Sequence, residues 1–122
     1  MAKIVLVVED DFLIALDLCA AIEQCGHGVL GPVHTADQAQ RIVATQQFDA
    51  ALLDTTLAHG ETSEPIADAL SKRNIPFIVV SGYERRQLPG ALRAAPLVAK
   101  PFETAEIVAA VSGLLDGSER GR

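Results

Sequence analysis

Three consecutive carboxylates, Glu9, Asp10 and Asp11, follow the apolar run Ile4 to Val8, with no cation among them. Asp54 closes a second apolar run that starts at Ala50, Ser81 closes Phe77 to Val80, and Lys100 closes Leu97 to Ala99. Carboxylates 4 Å apart repel by about 4 kcal/mol at an effective dielectric of 20, so acids gathered at one place raise one another's pKa unless a cation joins them. Mg2+ meets that need, since it takes an octahedron of oxygens, commonly one or two carboxylates with waters and phosphate oxygens. Lys100 is a flexible point charge and Ser81 a hydroxyl donor, and each suits one phosphoryl oxygen; the set points to phosphoryl handling rather than metal storage. Asp54 stands alone at its strand end and is the natural nucleophile, because aspartate carboxylates can form an aspartyl-phosphate.

Taken singly, these residues have plainer explanations. Asp11 is placed to cap a following helix and is assigned to that role. Ser81 before Gly82 reads as a turn residue, and Lys100 before Pro101 as a solvated cation. Only a common location favours the site, and the surrounding elements must supply it.

The runs Ile4 to Val8, Val29 to Val33, Ala50 to Leu53, Phe77 to Val80 and Leu97 to Ala99 read as five short strands. Pro32 assigns the second of them to a sheet edge, where a missing N–H is harmless. Between them, apolar residues recur at helical spacing. Ile14, Leu18, Ala21, Ile22 and Cys25 form a first helix that Gly26 and Gly28 end. Thr35 and Gln38 form a capping box for a second, which buries Ala39, Ile42 and Val43. Pro65 opens a third with Ile66, Ala69 and Leu70 inward. Pro89 and Gly90 interrupt the segment 82–95. A last helix carries Ile107, Val108, Val111, Leu114 and Leu115. Strands alternating with helices indicate an α/β fold, a parallel sheet covered on both faces. In such a sheet all strand carboxyl ends share one edge, where ligands bind, so Glu9, Asp10, Asp54, Ser81 and Lys100 converge.

The chain's 122 residues, 49% hydrophobic and 21% charged, suit one globular domain, expected over residues 1–116 with a polar tail at 117–122. A net charge of −6 argues against nucleic-acid binding, which rests on Lys and Arg neutralising phosphates. No apolar run approaches the ~20 residues of a membrane helix and no signal segment is evident, so no membrane association and a cytoplasmic location are expected. Cys19 and Cys25 lack a CxxC spacing and are expected to be free, buried thiols. His27, His34 and His59 lack zinc-site spacing and read as solvent or loop histidines.

The succession VVED, ALLD, VVSG, AKPF resembles the receiver domain of two-component response regulators, the CheY-like (flavodoxin-like) fold, over roughly Lys3 to Leu115. That resemblance implies a five-stranded parallel sheet of order 2-1-3-4-5 with helices on both faces. It implies that Asp54 accepts a phosphoryl group from a phosphohistidine on a sensor histidine kinase or phosphotransfer protein. Asp10, Asp54 and the backbone carbonyl of Thr56 would bind Mg2+ directly, and Glu9 through a metal-bound water. Lys100 would contact the phosphoryl group and Ser81 would swing toward it, with Lys100–Pro101 often cis. The chain would be a signalling domain catalysing only its own phosphorylation and dephosphorylation, not an enzyme in the usual sense.

Two positions depart from the family pattern. Leu97 replaces the usual aromatic three residues before the lysine, and Ala58 replaces a common proline after the acceptor. FIVVSGY instead resembles a subgroup with Phe before and Gly-Tyr after the switch hydroxyl, which makes Tyr83 the expected reporter. Two other classes are weighed: a pseudo-receiver acting as an interaction scaffold, and a phosphohydrolase of the haloacid-dehalogenase type, whose nucleophile follows the first strand rather than the third. With the last helix ending near the C-terminus and an initial Met, a single-domain receiver is expected, with an excised receiver left open. Its output would be a downstream protein contact or phosphate relay through the surface of helix four, strand five and helix five or a nearby face, with a homodimer left open. Tyr83→Ala is expected to weaken partner binding by the phosphorylated form; unchanged binding would refute the reporter role.

Overall fold

A computed structural model describes residues 2–120, with side chains through Asp116. Its strands are β1 (Ile4–Val8), β2 (Gly28–Val33), β3 (Ala50–Asp54), β4 (Phe77–Ser81) and β5 (Leu97–Ala99), and its helices α1 (Phe12–Gln24), α2 (Ala36–Thr45), α3 (Glu64–Lys72), α4 (Gly90–Ala94) and α5 (Thr104–Arg120). Short 3-10 turns at Ala58–Gly60 and Arg85–Gln87 complete the connections. All pairings are parallel and the strand order is β2-β1-β3-β4-β5, the expected doubly covered arrangement.

The unbroken apolar runs follow from burial on both faces. Val5 and Val7, Ala50 and Leu52, Ile78 and Val80 pack with Leu18, Ile22, Ile107 and Val111 from α1 and α5. Their alternate neighbours Leu6 and Val8, Ala51 and Leu53, Phe77 and Val79 pack with Val43, Ile66, Leu70 and Leu92 from α2, α3 and α4. Side chains alternate across a strand, so a strand sandwiched by helices has no polar face to display.

Several local readings are refined. The α5 backbone continues through Arg120, past the expected end near Leu115; the side chains of 117–120 and residues 121–122, where the polar tail is expected, lie outside the described residues. Cys19 and Cys25 are free but half-buried rather than buried. In the capping box, Thr35 Oγ1 accepts from Gln38 N at 3.2 Å as expected, but Gln38 Oε1 reaches past Thr35 to the N–H of His34, also at 3.2 Å. Asp11 caps α1, its Oδ1 accepting from Ile14 N at 3.0 Å. Phe12, Leu13 and Leu16, on the first turns of α1, lie exposed beside the acids.

Edge strand β2 carries a bulge that composition only hinted at. Leu6 pairs with Leu30 but Val8 with Val33, so Gly31 and Pro32 add one residue on the β2 side. Gly31 has φ +98°, and a Cβ there would lie 2.9 Å from Val33 N and 3.0 Å from Val7 O, both backbone atoms. The bulge brings Val33 O to within 2.9 Å of Glu9 N, which donates to it, and so sets the direction in which the acid segment leaves the sheet. Gly31→Ala combines a left-handed backbone with a backbone clash and is expected to cost about 2 kcal/mol or more in urea unfolding, against a few tenths for a surface Gly→Ala change.

Candidate functional site

Strand register brings the scattered polar residues to one level. Val8 pairs with Leu53, Asp54 with Val80 and Ser81 with Ala99, so Glu9, Asp54, Ser81 and Lys100 stand in a row along the carboxyl edge of β1, β3, β4 and β5. Lys100 N donates to Ser81 O at 2.8 Å, holding the base of the lysine against β4. The Lys100–Pro101 bond is cis.

Glu9 is fully buried while Asp10 is exposed. Its Oε2 accepts from Asp11 N at 3.1 Å, which turns the chain toward α1 and directs Asp10 outward. Lys100 Nζ lies 2.9 Å from Glu9 Oε1 and donates to Asp54 Oδ1 at 3.2 Å. The ammonium therefore sits between two buried carboxylates.

The charges deform one another's titration. Burial, and then the neighbouring Glu9, push the Asp54 carboxyl up from 3.8 to about 7, with Lys100 acting in the opposite sense. Burial alone would lower Lys100, but its contacts with Glu9 and Asp54 outweigh that and raise it above an ordinary lysine. One cation is thus too little for the acids present. Carboxylate oxygens of Glu9, Asp10 and Asp54 lie within 4.8 Å of one another, and Glu9 Oε1, although at ion-pair distance from Lys100, has no aligned hydrogen-bond donor. An all-oxygen set of this charge fits a hard divalent cation such as Mg2+ and lacks the sulfur or nitrogen ligands of a zinc site.

Thr56 is exposed at the rim, bridged to Thr62 across the loop that follows Asp54. Ser81 is fully buried, and its hydroxyl is engaged by two neighbours: it shares a hydrogen bond with Thr55 Oγ1 at 3.0 Å and accepts from Tyr83 N at 2.9 Å. Tyr83 is half-exposed and lines a cavity of about 260 Å³ with Thr55, Thr56, Thr62, Leu88 and Leu92. A larger apolar cleft, about 490 Å³ around Ile75, Phe77 and Pro96, opens at the opposite edge of the sheet, far from the acids.

Two residues at the site escape a reading of the sequence. Thr55, the partner of Ser81, looks like an ordinary residue after a strand. His34, read as a solvent or loop histidine, is half-buried, with Nδ1 2.8 Å from the backbone carbonyl of Glu9. A polar residue just after an edge strand was the sole available signal for it.

No family model matches the chain. SdrG from Sphingomonas melonis Fr1, a solution structure, is similar with a TM-score of 0.81 at 35% identity, covering 93% of this chain and 97% of that one. The REC domain of the PhyR response regulator from Erythrobacter litoralis matches with a TM-score of 0.81 at 29% identity, covering 94% and 91%. The phyllosphere-induced regulator PhyR of Methylorubrum extorquens is 36% identical over 119 residues, 94% of this chain and 44% of that protein. The chain spans about half the length of the curated relatives it matches.

A carboxyl raised from 3.8 to about 7 holds its proton more tightly in the folded state. Its contribution to stability is complete below pH 3.8 and is lost as pH rises through 7. Asp54→Asn keeps the neutral shape without that loss. In Mg2+-free buffer the variant is therefore expected to unfold at a higher temperature than wild type at pH 8, by on the order of 1 kcal/mol after solvent screening, or about 4 °C. The advantage should shrink toward pH 5. A difference that stays flat across that range would show that Asp54 ionises normally.

Proposed function

The chain belongs to the receiver-domain family of response regulators, and on that premise we propose that Asp54 is its phosphoacceptor, loaded from a phosphohistidine on a sensor histidine kinase or phosphotransfer protein. The observation that carries the proposal is Lys100 Nζ poised between Glu9 and Asp54 beside Asp10, one ammonium among three carboxylates at one strand edge. Family membership makes it a signalling module rather than a metabolic enzyme.

In this reading an oxygen of Asp54 forms the new P–O bond as the donor's P–N bond breaks, and the departing imidazole takes up a proton. Asp54 must be ionised to attack, whereas its surroundings favour the proton. Asp10, Asp54 and the Thr56 carbonyl would hold Mg2+ directly and Glu9 through a water, and the ion when bound would supply positive charge that favours the ionised carboxylate and neutralises phosphoryl oxygens. Lys100 keeps its salt contact to Glu9 and offers its remaining N–H bonds to the arriving group. Ser81 would exchange its bonds with Thr55 and with the Tyr83 amide for one to a phosphoryl oxygen, which releases that amide and the loop that carries Tyr83.

The switch is then local electrostatics read by a neighbouring loop. Tyr83 lines a cavity beside Thr55 and Thr56, which supports its reporter role where Leu97 replaces the usual aromatic. The downstream partner would be a protein meeting the surface of α4, β5 and α5 or a face beside it. Among the described residues no helix is long and apolar enough to cross a membrane.

Phosphotransfer from a phosphorylated kinase or acetyl phosphate should label the wild-type protein only with Mg2+ present. Asp54→Asn should reduce labelling to background. Undiminished labelling in that variant would overturn the acceptor assignment, and failure of the wild-type protein to bind either Mg2+ or beryllofluoride would favour an interaction scaffold instead.

A further inference from the structure

His34 is the point at which the strand-edge loops are tied together. Its ring Nδ1 lies 2.8 Å from the carbonyl oxygen of Glu9. A carbonyl can only accept, so Nδ1 carries the proton and the bond fixes the ring tautomer. The Glu9 backbone is thereby held at both polar atoms from β2 and its end: Glu9 N donates to Val33 O at 2.9 Å and Glu9 O accepts from His34. The His34 backbone is tied in turn. Its N–H donates to Gln38 Oε1 at 3.2 Å, and its carbonyl accepts from Ala58 N, in the loop after Asp54, at 3.5 Å.

We infer that His34 is a positioning residue for the cation site, its Nδ1–H holding the Glu9 carbonyl so that the Glu9 and Asp10 carboxylates meet Asp54. The physical reason lies in leverage. Glu9 enters the site by its side chain, with Oε2 on Asp11 N and Oε1 at Lys100, and the direction of that side chain is set by the peptide planes on either side of it. One of those planes contains the carbonyl that His34 holds. A rotation there would move Glu9 away from Lys100 and Asp10 away from Asp54 together. Val33 O fixes only the preceding plane. Groups that support metal ligands in this indirect way typically change metal affinity by 10–100-fold when removed.

The inference rests on the cation-binding reading of Glu9, Asp10 and Asp54, and three measurements keep the two separable. First, in metal-free wild-type protein, nitrogen NMR of His34 should show Nδ1 protonated; the opposite tautomer overturns the inference. Second, also without metal, the Asp11 amide, which donates to Glu9 Oε2, should exchange with solvent at least several-fold faster in His34→Leu. It should stay near the wild-type rate in His34→Asn, whose side-chain amide can replace the Nδ1–H. Third, His34→Leu should weaken Mg2+ binding about tenfold while the labelling rate at saturating Mg2+ stays close to wild type, and His34→Asn should recover most of the affinity. Equal losses in the two variants, or wild-type behaviour in His34→Leu, would overturn the role. If the wild-type protein binds no Mg2+, the proposed function fails, and the tautomer and Asp11 exchange alone decide the place of His34.

Discussion

One ammonium among buried carboxylates constrains the rest of this molecule. Glu9 has no access to water, and a carboxylate so placed needs a partner: removing one side of a buried pair costs about 3–5 kcal/mol, mostly through the charge left behind. Lys100 is that partner, and it arrives from β5, two strands beyond β3, so the sheet must be complete before the charge is answered. The interaction is also unbalanced. Lys100 is shared with Asp54, whose proton is held to about pH 7, so the resting site is short of positive charge by construction. On the proposed function, a site of that kind would be stable enough to fold and still receptive to a cation and an anion together.

The helical layers answer to the same requirement. Because both faces of β1, β3 and β4 are covered, the strand interiors hold only apolar side chains, and polar groups are confined to the ends. Five short strands in parallel register then concentrate those ends in one row. The edge strand β2 contributes no side chain to the charged row. Its bulge at Gly31 and the turn at His34 instead hold the backbone from which Glu9 projects.

Much of this could be read before any coordinates, because each feature had a local signature. The runs from Ile4, Ala50 and Phe77 are too short for helices and too apolar for exposed strands, and each stops at a residue with chemistry to offer. Pro32 marked the edge, and Asp11 and Thr35 marked helix starts. The features that escaped depend on long-range approach. Nothing near His34 in the chain says that Glu9, twenty-five residues earlier, presents it a carbonyl. Nothing near Thr55 announces a hydroxyl from β4. Gln38 is read as the capping-box partner of Thr35, but its amide oxygen serves the residue before the cap, which a pattern of residue types cannot distinguish. Phe12, Leu13 and Leu16 fall outside the helical pattern of Ile14, Leu18, Ala21 and Ile22, and the placement of α1 leaves them exposed.

The hydroxyl of Ser81 has two partners within the protein, Thr55 Oγ1 and the Tyr83 amide, and turning it toward Asp54 means giving up both. Hydrogen bonds of this sort are worth about 0.5–1.5 kcal/mol each. A gap of that total size, about 1–3 kcal/mol, would leave roughly 1–15% of molecules turned without any phosphoryl group present. The strength of two neutral hydrogen bonds thus sets the background against which a signal would be heard: strengthening the grip of Thr55 would quieten the resting molecule and raise the threshold for its response.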